Sequence, residues 1–335
     1  MLRVGFVGAG LIATYHSKMI RRSGVEVVRA GVFDPDTERA AAFALASGHT
    51  MMSSPEAVVE SCDAVYVCTW TSEHPRLVDL AVRHGRAVFC EKPLATTLAE
   101  AERIASVVAA AGVTNAVGLV LRRSPAYVWA RHLIADPAAG PVMTAVFRDD
   151  QFIPIQGHYA SNWRADRTKA GAGTLIEHSI HDVDMLRFLV GDVVVANGQL
   201  ANHHGYDGIE DTFVATFRFA NGALGTLASV WHDNLARPSL RRVEVFCANR
   251  YIHLDGDDWT GPVHWTDSDG TQHSLDGDAL VDAVNRTGLI DGHTNSDGAF
   301  LLAAANNEPT WPDFATAVEA HRIVDMLYRS ATIGQ

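Results

Sequence analysis

Short apolar runs alternate with helix-like stretches through about the first 120 residues of the chain. The predicted strands are Leu2–Val7, Val25–Phe33, Asp63–Cys68, Ala87–Cys90 and Asn115–Leu121. The predicted helices are Leu11–Ser23, Pro35–Gly48, His74–His84 and Leu98–Ala111. Strands that alternate with helical patterns are typical of βαβ units and a mostly parallel sheet. We therefore expect an α/β first domain over residues 1–121.

The pattern changes after about Leu121, where β-branched residues begin to alternate with polar ones. The predicted strands of this part are Val142–Asp149, Val193–Leu200, Thr212–Phe219, Ala223–Trp231, Arg242–Cys247, Tyr251–Leu254 and Pro262–Thr266. The predicted helices are Tyr127–Ala135, Leu175–Leu189 and Phe314–Ser330. Because Asn221-Gly222 separates two of the strands as a hairpin signal, we expect an open, mainly antiparallel sheet. This α+β second domain spans residues 122–335, and its C-terminal helix, about 314–330, is expected to pack back on the first domain.

A glycine-rich motif follows the first predicted strand and opens the first predicted helix. It reads Gly8-Ala9-Gly10-Leu11-Ile12-Ala13. Its first glycine permits a tight turn and its second lets the backbone approach a pyrophosphate, while unpaired N–H groups at the helix N-terminus favour the anion. Asp34 ends the second predicted strand, 24 residues after Gly10, where a carboxylate suits the hydroxyls of an adenine ribose. The motif predicts a Rossmann dinucleotide site that contains Gly8, Gly10, Leu11, Ile12 and Asp34.

The charges after the second strand indicate which dinucleotide is bound. Asp34 and Asp36 would face a ribose 2′-phosphate, and the first basic residue after them is Arg39. A 2′-phosphate would meet repulsion there without a partner. We therefore expect NAD rather than NADP.

Composition and charge narrow the remaining possibilities. The 335 residues include 39 acidic and 27 basic ones, for a net charge of −12. This balance, with no basic run, argues against a nucleic-acid partner, and no apolar stretch reaches the ~20 residues of a membrane span. The N-terminus enters a strand-like pattern without a signal peptide, and the four cysteines form no C-x-x-C pair. A cytoplasmic protein with reduced thiols is the expectation.

Two longer motifs are similar to those of a known protein family. Cys90-Glu91-Lys92-Pro93-Leu94-Ala95 closes a predicted strand, and Gly171-Ala172-Gly173-Thr174-Leu175-Ile176-Glu177-His178-Ser179-Ile180-His181-Asp182-Val183-Asp184 joins a glycine-rich turn to a helix. With the N-terminal motif, this sequence resembles the Gfo/Idh/MocA family (glucose–fructose oxidoreductase, inositol dehydrogenase and rhizopine catabolism proteins) from end to end. The resemblance implies an N-terminal Rossmann domain, a C-terminal open-sheet domain, and NAD(P)-linked oxidation or reduction of sugars, cyclitols or related compounds.

The resemblance also implies roles for particular residues. Lys92 would reach the substrate hydroxyl that is oxidised, His181 would be the acid/base, and Glu177 would orient or polarise the site. A histidine suits the proton transfer because its unperturbed pKa lies near neutrality. Because residues 177 and 181 stand at i and i+4, we expect both side chains to lie on one helix face.

Further residues would lie near the cofactor or the substrate. By resemblance, Thr69, Trp70, His74, Glu91 and Lys92 adjoin the dinucleotide; Trp70 stands where the family has proline and could equally be a core or hinge residue. Candidates for substrate contact are Tyr159, Trp163, Arg164 and His178. Glu177 replaces the usual aspartate, and Ser179 and Ala172 replace usual glycines. No metal site is expected.

Two kinds of activity fit these features. The first is an NAD-dependent dehydrogenase that acts on a secondary alcohol of a sugar, inositol or related cyclic polyol. The alternative is a glycosidase that uses tightly bound NAD for transient oxidation and elimination of a glycoside. An exposed sheet face in the second domain also predicts a homodimer or homotetramer.

Overall fold

The computed structural model describes residues 1–157, 159–290 and 292–333, with residues 332 and 333 described by their helical backbone alone. The strands are β1 Leu2–Val7, β2 Val27–Phe33, β3 Thr50–Met51, β4 Ala64–Val67, β5 Ala87–Cys90, β6 Asn115–Val117, β7 Val142–Phe152, β8 Val193–Ala201, β9 Thr212–Phe219, β10 Leu224–His232, β11 Leu240–Cys247, β12 Arg250–Asp255, β13 Val263–Asp267 and β14 Gln272–Leu275. The α-helices are α1 Leu11–Arg22, α2 Thr37–Ser47, α3 Pro55–Ser61, α4 His74–Arg83, α5 Leu98–Ala111, α6 Pro125–Ala135, α7 Arg167–Ala170, α8 Thr174–Glu177, α9 Ile180–Val190, α10 Gly277–Thr287, α11 Ser296–Asn306 and α12 Phe314–Ile333.

The chain divides into two compact units. The first comprises Met1–Val120 and a returning segment, Gly292–Val318, and the second comprises Leu121–Asp291 and Glu319–Gln335. The division falls inside α12, whose first residues belong to the first unit and whose remainder belongs to the second.

The first unit is built on a six-stranded parallel sheet in the order β3-β2-β1-β4-β5-β6. Alternate residues of each central strand enter different hydrophobic clusters: Tyr66 of β4 lies in one, and Val65 and Val67 lie in the other. A sheet that is buried on both faces is expected of parallel strands joined by helical crossovers. The predicted Rossmann-type α/β fold is confirmed.

An aromatic ladder crosses one face of this sheet. The rings of Phe6, Tyr66 and Phe89, from β1, β4 and β5, stack with centroids 4.8 Å apart at each step. Phe300 of α11 meets Tyr66 and Phe89 edge-on, at 5.5 and 5.6 Å. The returning segment is thus part of this core.

The second unit contains an eight-stranded mixed sheet in the order β14-β13-β12-β11-β7-β10-β9-β8. The pairing of β7 with β10 is parallel and the other pairings are antiparallel. The prediction of a mainly antiparallel sheet is confirmed. Along β9, Phe213, Ala215 and Phe217 are buried in the core while Val214 is 51% exposed. The sheet therefore has one buried face and one exposed face.

The prediction of one continuous helix over Leu175–Leu189 is wrong at His178 and Ser179. The structure has two helices, α8 and α9, separated at His178 and Ser179, whose backbone leaves helical geometry (φ −121°, ψ −61° and φ −78°, ψ 5°). The i to i+4 relation expected between Glu177 and His181 therefore does not hold, because Glu177 ends one helix and His181 lies in the first turn of the next.

Candidate active site

In the first unit, the predicted cofactor residues follow the carboxyl ends of four parallel strands. Gly8 follows β1, Asp34 follows β2, Thr69 follows β4, and Glu91 and Lys92 follow β5. The carboxyl ends of parallel strands meet at one edge of the sheet, where open α/β folds bind their ligands.

The glycine-rich turn has the space that a pyrophosphate needs. Gly8 has φ +94°, and a Cβ there would lie 2.3 Å from the carbonyl oxygen of Cys68. A Cβ at Gly10 would meet no described atom within 4 Å, so packing within the chain does not require that glycine. Gly10 caps α1 without a side-chain hydrogen bond, and Leu11 is 78% exposed. These residues fit a dinucleotide whose phosphates approach the backbone at Gly10.

Asp34 connects the second strand to the glycine-rich turn. Its Oδ2 accepts a hydrogen bond from the amide of Ala9 at 2.8 Å, and its Oδ1 accepts one from the amide of Asp36 at 2.9 Å. Arg39 lies 3.4 Å from Asp34 and 3.0 Å from Asp36, so the nearest basic group is already shared by two carboxylates. Asp34 itself is buried.

The loop after β4 contains the next three predicted cofactor residues. Thr69 is half-buried, Trp70 is 37% exposed, and His74 is buried at the start of α4. The Nδ1 of His74 lies 2.9 Å from the carbonyl oxygen of Pro93, and its Nε2 lies 3.3 Å from that of Thr69. His74 therefore holds the loops after β4 and β5 together.

The two residues that follow β5, Glu91 and Lys92, differ in solvent exposure. Glu91 is buried, and its Oε2 accepts a hydrogen bond from the Lys92 amide at 3.2 Å. Lys92 is half-buried. Glu91 pairs with His16, and His16 pairs in turn with Asp297. Both His16 and Asp297 are residues that the sequence analysis missed.

In the second unit, a buried glutamate organises the second glycine-rich turn. The carboxylate of Glu210 accepts hydrogen bonds from the amides of Gly173 (2.7 Å) and Leu175 (3.0 Å), and the hydroxyl of Tyr328 donates to it at 2.8 Å. Burial raises the pKa of Glu210, and these hydrogen bonds oppose the rise. A Cβ at Gly173 would lie 1.8 Å from the Glu210 carbonyl oxygen, so only glycine fits there.

Glu177 is buried and paired with an arginine. The Nε of Arg164 donates to Glu177 Oε2 at 3.1 Å, and the Arg164 guanidinium lies over the Trp163 ring, 4.4 Å from its centroid. The structure thus brings together three of the predicted site residues. Tyr159 is half-buried in the segment that follows β7.

The break between α8 and α9 is held by serines. The Ser179 hydroxyl donates to Ser229 at 2.6 Å, and Thr174 and Ser229 are 2.8 Å apart. The serine that replaces the usual glycine therefore fixes the turn. His181, in the first turn of α9, is half-buried, and its amide donates to the His178 carbonyl at 3.3 Å.

The side chain of His178 enters a buried charged cluster. Its Nε2 lies 2.9 Å from Asp149, which also lies 3.1 Å from Arg241. The Nε of Arg241 donates to Asp182 at 2.8 Å. Burial raises the pKa of Asp182 to about 7, and the neighbouring Asp149 adds to the rise, while Arg241 and His178 oppose it. The sequence offered no local signal for this cluster, because its members come from β7, the break between α8 and α9, α9 itself and β11.

The described residues also bear on metal sites and on membrane-spanning segments. Within residues 1–157, 159–290 and 292–333, no three or more histidine, cysteine, aspartate or glutamate side chains are arranged to hold a metal ion. Over the same residues, no helix combines the length and apolarity that crossing a membrane requires.

Two stretches of the chain match models of one protein family. Residues 2–119 match the oxidoreductase family with an NAD-binding Rossmann fold, and residues 127–253 match the Gfo/Idh/MocA C-terminal domain. The chain belongs to the Gfo/Idh/MocA oxidoreductase family. This confirms the resemblance that the sequence motifs indicated. The cofactor of this protein is a nicotinamide dinucleotide, bound by the first unit.

Curated relatives of this Gfo/Idh/MocA protein are enzymes. A 1,5-anhydro-D-fructose reductase from Ensifer adhaerens is 34% identical over 67% of this chain and 68% of its own length. An inositol 2-dehydrogenase from Cereibacter sphaeroides is 30% identical over 66% of this chain and 64% of its own length. The chain therefore aligns with about two thirds of each.

Solved structures share the whole fold of this Gfo/Idh/MocA protein. An oxidoreductase domain protein from Kribbella flavida superposes with a TM-score of 0.87 at 25% identity, covering 100% of this chain and 98% of its own. Levoglucosan dehydrogenase in complex with NADH also gives 0.87 at 21% identity, covering 99% of this chain and 97% of its own. At that identity the second likeness concerns the fold alone.

Protonation of Asp182 makes the stability of the protein depend on pH. An acid whose pKa is raised on folding, from about 3.9 unfolded to about 7 here, stabilises the fold below pH ~4 and loses that contribution as the pH rises through 7. D182N keeps an acceptor for Arg241 and cannot ionise. The unfolding free energy of D182N relative to wild type should therefore increase from pH 5 to pH 8, measured by urea denaturation.

Asp255 provides the control for this experiment, because its side chain is 47% exposed on β12. D255N should leave the difference from wild type nearly flat over the same pH range. A flat difference for D182N as well would contradict the raised pKa.

Proposed function

We propose that this protein is an NAD-dependent dehydrogenase that transfers a hydride between nicotinamide and a secondary alcohol of a sugar, inositol or related cyclic polyol. The observation that carries the proposal is the Glu91-Lys92-Pro93 turn at the carboxyl edge of a Rossmann sheet, in a chain whose relatives include a sugar reductase and an inositol dehydrogenase. Those relatives are named dehydrogenases and reductases, which favours net redox chemistry over the glycosidase alternative.

The roles proposed for the site residues follow from the chemistry of alcohol oxidation. The carbon loses a hydride and the oxygen loses a proton; bound nicotinamide supplies the hydride acceptor. Lys92 donates a hydrogen bond to the reacting oxygen and stabilises the negative charge that develops on it. His181 accepts the hydroxyl proton and returns it in the reverse reaction. Glu177, neutralised by Arg164, holds the end of α8 just before the segment that carries His181.

We further propose that Tyr159, Trp163, Arg164 and His178 contact the substrate, and that Thr69, Trp70 and His74 adjoin the nicotinamide dinucleotide. Indole and phenol rings beside charged hydrogen-bond donors suit a ring that bears several hydroxyl groups.

The four cysteines are free and buried, which fits a reducing, cytoplasmic location.

Removal of either proposed catalytic group should abolish most turnover without loss of cofactor. K92M and H181N should each lower kcat by about 10²–10⁴-fold, because a positioned charge and a proton acceptor are lost. The Kd for NADH, from nicotinamide fluorescence, should change by about 2-fold or less. A panel of cyclitols and sugars with NAD, followed by NADH absorbance, provides the assay.

The exposed Lys18 gives a matched control, since K18M removes a lysine from the same unit. Turnover that persists in both K92M and H181N would contradict the proposed roles. Hydrolysis of a glycoside without accumulation of NADH would instead favour the glycosidase.

The preference for NAD over NADP is proposed from the two carboxylates after β2. D34S removes one of them and leaves Arg39 paired with Asp36 alone, so that its less neutralised guanidinium can also pair with a 2′-phosphate. The ratio of kcat/KM for NADP to that for NAD should rise by about 10–100-fold, the equivalent of one or two added charged hydrogen bonds. The double variant D34S/R39Q should lose most of this gain, and an unchanged ratio in D34S would exclude Asp34 as the determinant.

The exposed face of the second sheet is proposed to pair with another copy of this chain. Its outward positions include Val146, Val214, Leu224 and Phe246, each 36–51% exposed. Neighbouring strands place Phe246, Thr144 and Leu224 in one row across this face. Apolar side chains that are exposed together on one face of a sheet are typical of an association site.

Multi-angle light scattering tests this assembly directly. The wild type should be a dimer or tetramer, and V214K should shift it to a lower mass because a charge is buried without a partner. V28K changes a similarly exposed valine of the first unit and should leave the mass unchanged. A monomeric wild type would refute the proposal.

A further inference from the structure

A histidine of the cofactor helix lies buried between two carboxylates of the first unit. The Nε2 of His16, on α1, is 2.8 Å from Oε1 of Glu91, and its Nδ1 is 2.8 Å from Oδ1 of Asp297, on α11. Relative exposure is 0% for His16, 6% for Glu91 and 1% for Asp297. This His16 cluster joins the helix of the glycine-rich turn, the end of β5 and the returning segment.

The hydrogen-bond geometry favours a charged ring. A carboxylate only accepts hydrogen bonds, and a neutral imidazole donates through one nitrogen, so two carboxylates at 2.8 Å call for both nitrogens to carry protons. Burial disfavours that charge, but Asp297 and Glu91 outweigh it and raise the pKa of His16 to about 10. The interactions with His16 likewise lower the pKa of Glu91.

The imidazolium fixes one oxygen of Glu91, and the other oxygen faces the next residue in the chain. Glu91 Oε2 accepts the Lys92 amide at 3.2 Å. On the remaining side, a Cβ at Gly118 would lie 2.3 Å from Oε1, so the carboxylate sits in a space that only glycine leaves open. The backbone at Lys92 is thus tied to a carboxylate that is itself held in one orientation.

We propose that His16 is a positioning residue, which acts through Glu91 to fix the backbone of Lys92 and with it the ammonium group used in the reaction. This inference rests on the role proposed above for Lys92. Packing alone would not call for three buried charges, since an apolar residue of similar volume avoids their desolvation cost. A rigid attachment matters because a misplacement of ~1 Å at a reacting group can lower the rate about 10²-fold.

The charge state of His16 can be measured without any substrate. In histidine labelled with ¹⁵N, both ring nitrogens of His16 should give imidazolium shifts at pH 8.5, with the signals assigned by their loss in H16N. E91Q or D297N removes one acceptor charge and should make the ring neutral at that pH. A wild-type His16 that is neutral at pH 8.5 would overturn the proposal.

The positioning role has two further readouts. H16N and E91Q should lower kcat about 10–100-fold, with the Kd for NADH changed by about 2-fold or less. They should also speed amide hydrogen exchange in the peptide that contains residues 88–95. E91Q keeps the shape of the side chain and serves where H16N does not fold.

The buried His49 supplies the control, because it lies in the same unit and pairs with Ser47 rather than with a carboxylate. H49N should lower stability yet leave kcat and exchange at residues 88–95 as in wild type. Unchanged exchange in both H16N and E91Q would refute the positioning role. If K92M retains full turnover while exchange still rises in H16N, then the role of Lys92 fails and the attachment of its backbone stands.

Discussion

Burying a charge costs several kcal/mol unless a partner and hydrogen bonds compensate it, and this constraint governs three segments that hold proposed site residues. Glu91 is buried against His16 at the end of β5. Glu177 is buried against Arg164 at the end of α8. Arg241 is buried against Asp149 and Asp182 beside the acid/base candidate. In each case the segment can occupy only the position in which its charge is paired.

The consequence is a set of segments that buried side-chain pairs hold in place although they lie outside regular strands. A loop that holds a catalytic group has no ladder of hydrogen bonds to define it, so its precision must come from side chains. Asp184 illustrates the same principle away from the reacting groups, because both of its oxygens accept from Arg122 at 2.7 Å. That pair anchors α9 to the segment at the start of the second unit.

Sequence reasoning identified the features whose cause is local and missed those whose cause is distant. The tight turn at Gly8 and the position of Asp34 at the end of a strand were predictable, because each depends on residues that are close in sequence. His16 and Asp297 are 281 positions apart, and nothing near either residue predicts their contact. The break at His178 and Ser179 was missed for the same reason, since the hydroxyl that fixes it belongs to Ser229, 50 residues away.

The departures of this chain from its family motif also show at which motif positions the backbone requires glycine. Ala172 replaces a glycine of the turn, and the structure tolerates it because the residue has an ordinary negative φ. Gly171, at φ +88°, and Gly173, against the Glu210 carbonyl, keep their glycines because a side chain would be strained or would clash. A motif written as three equal glycines therefore combines two strict requirements with one permissive position. Departures at such a position carry little weight against shared chemistry, whereas a side chain in place of Gly173 would displace the turn that precedes Glu177.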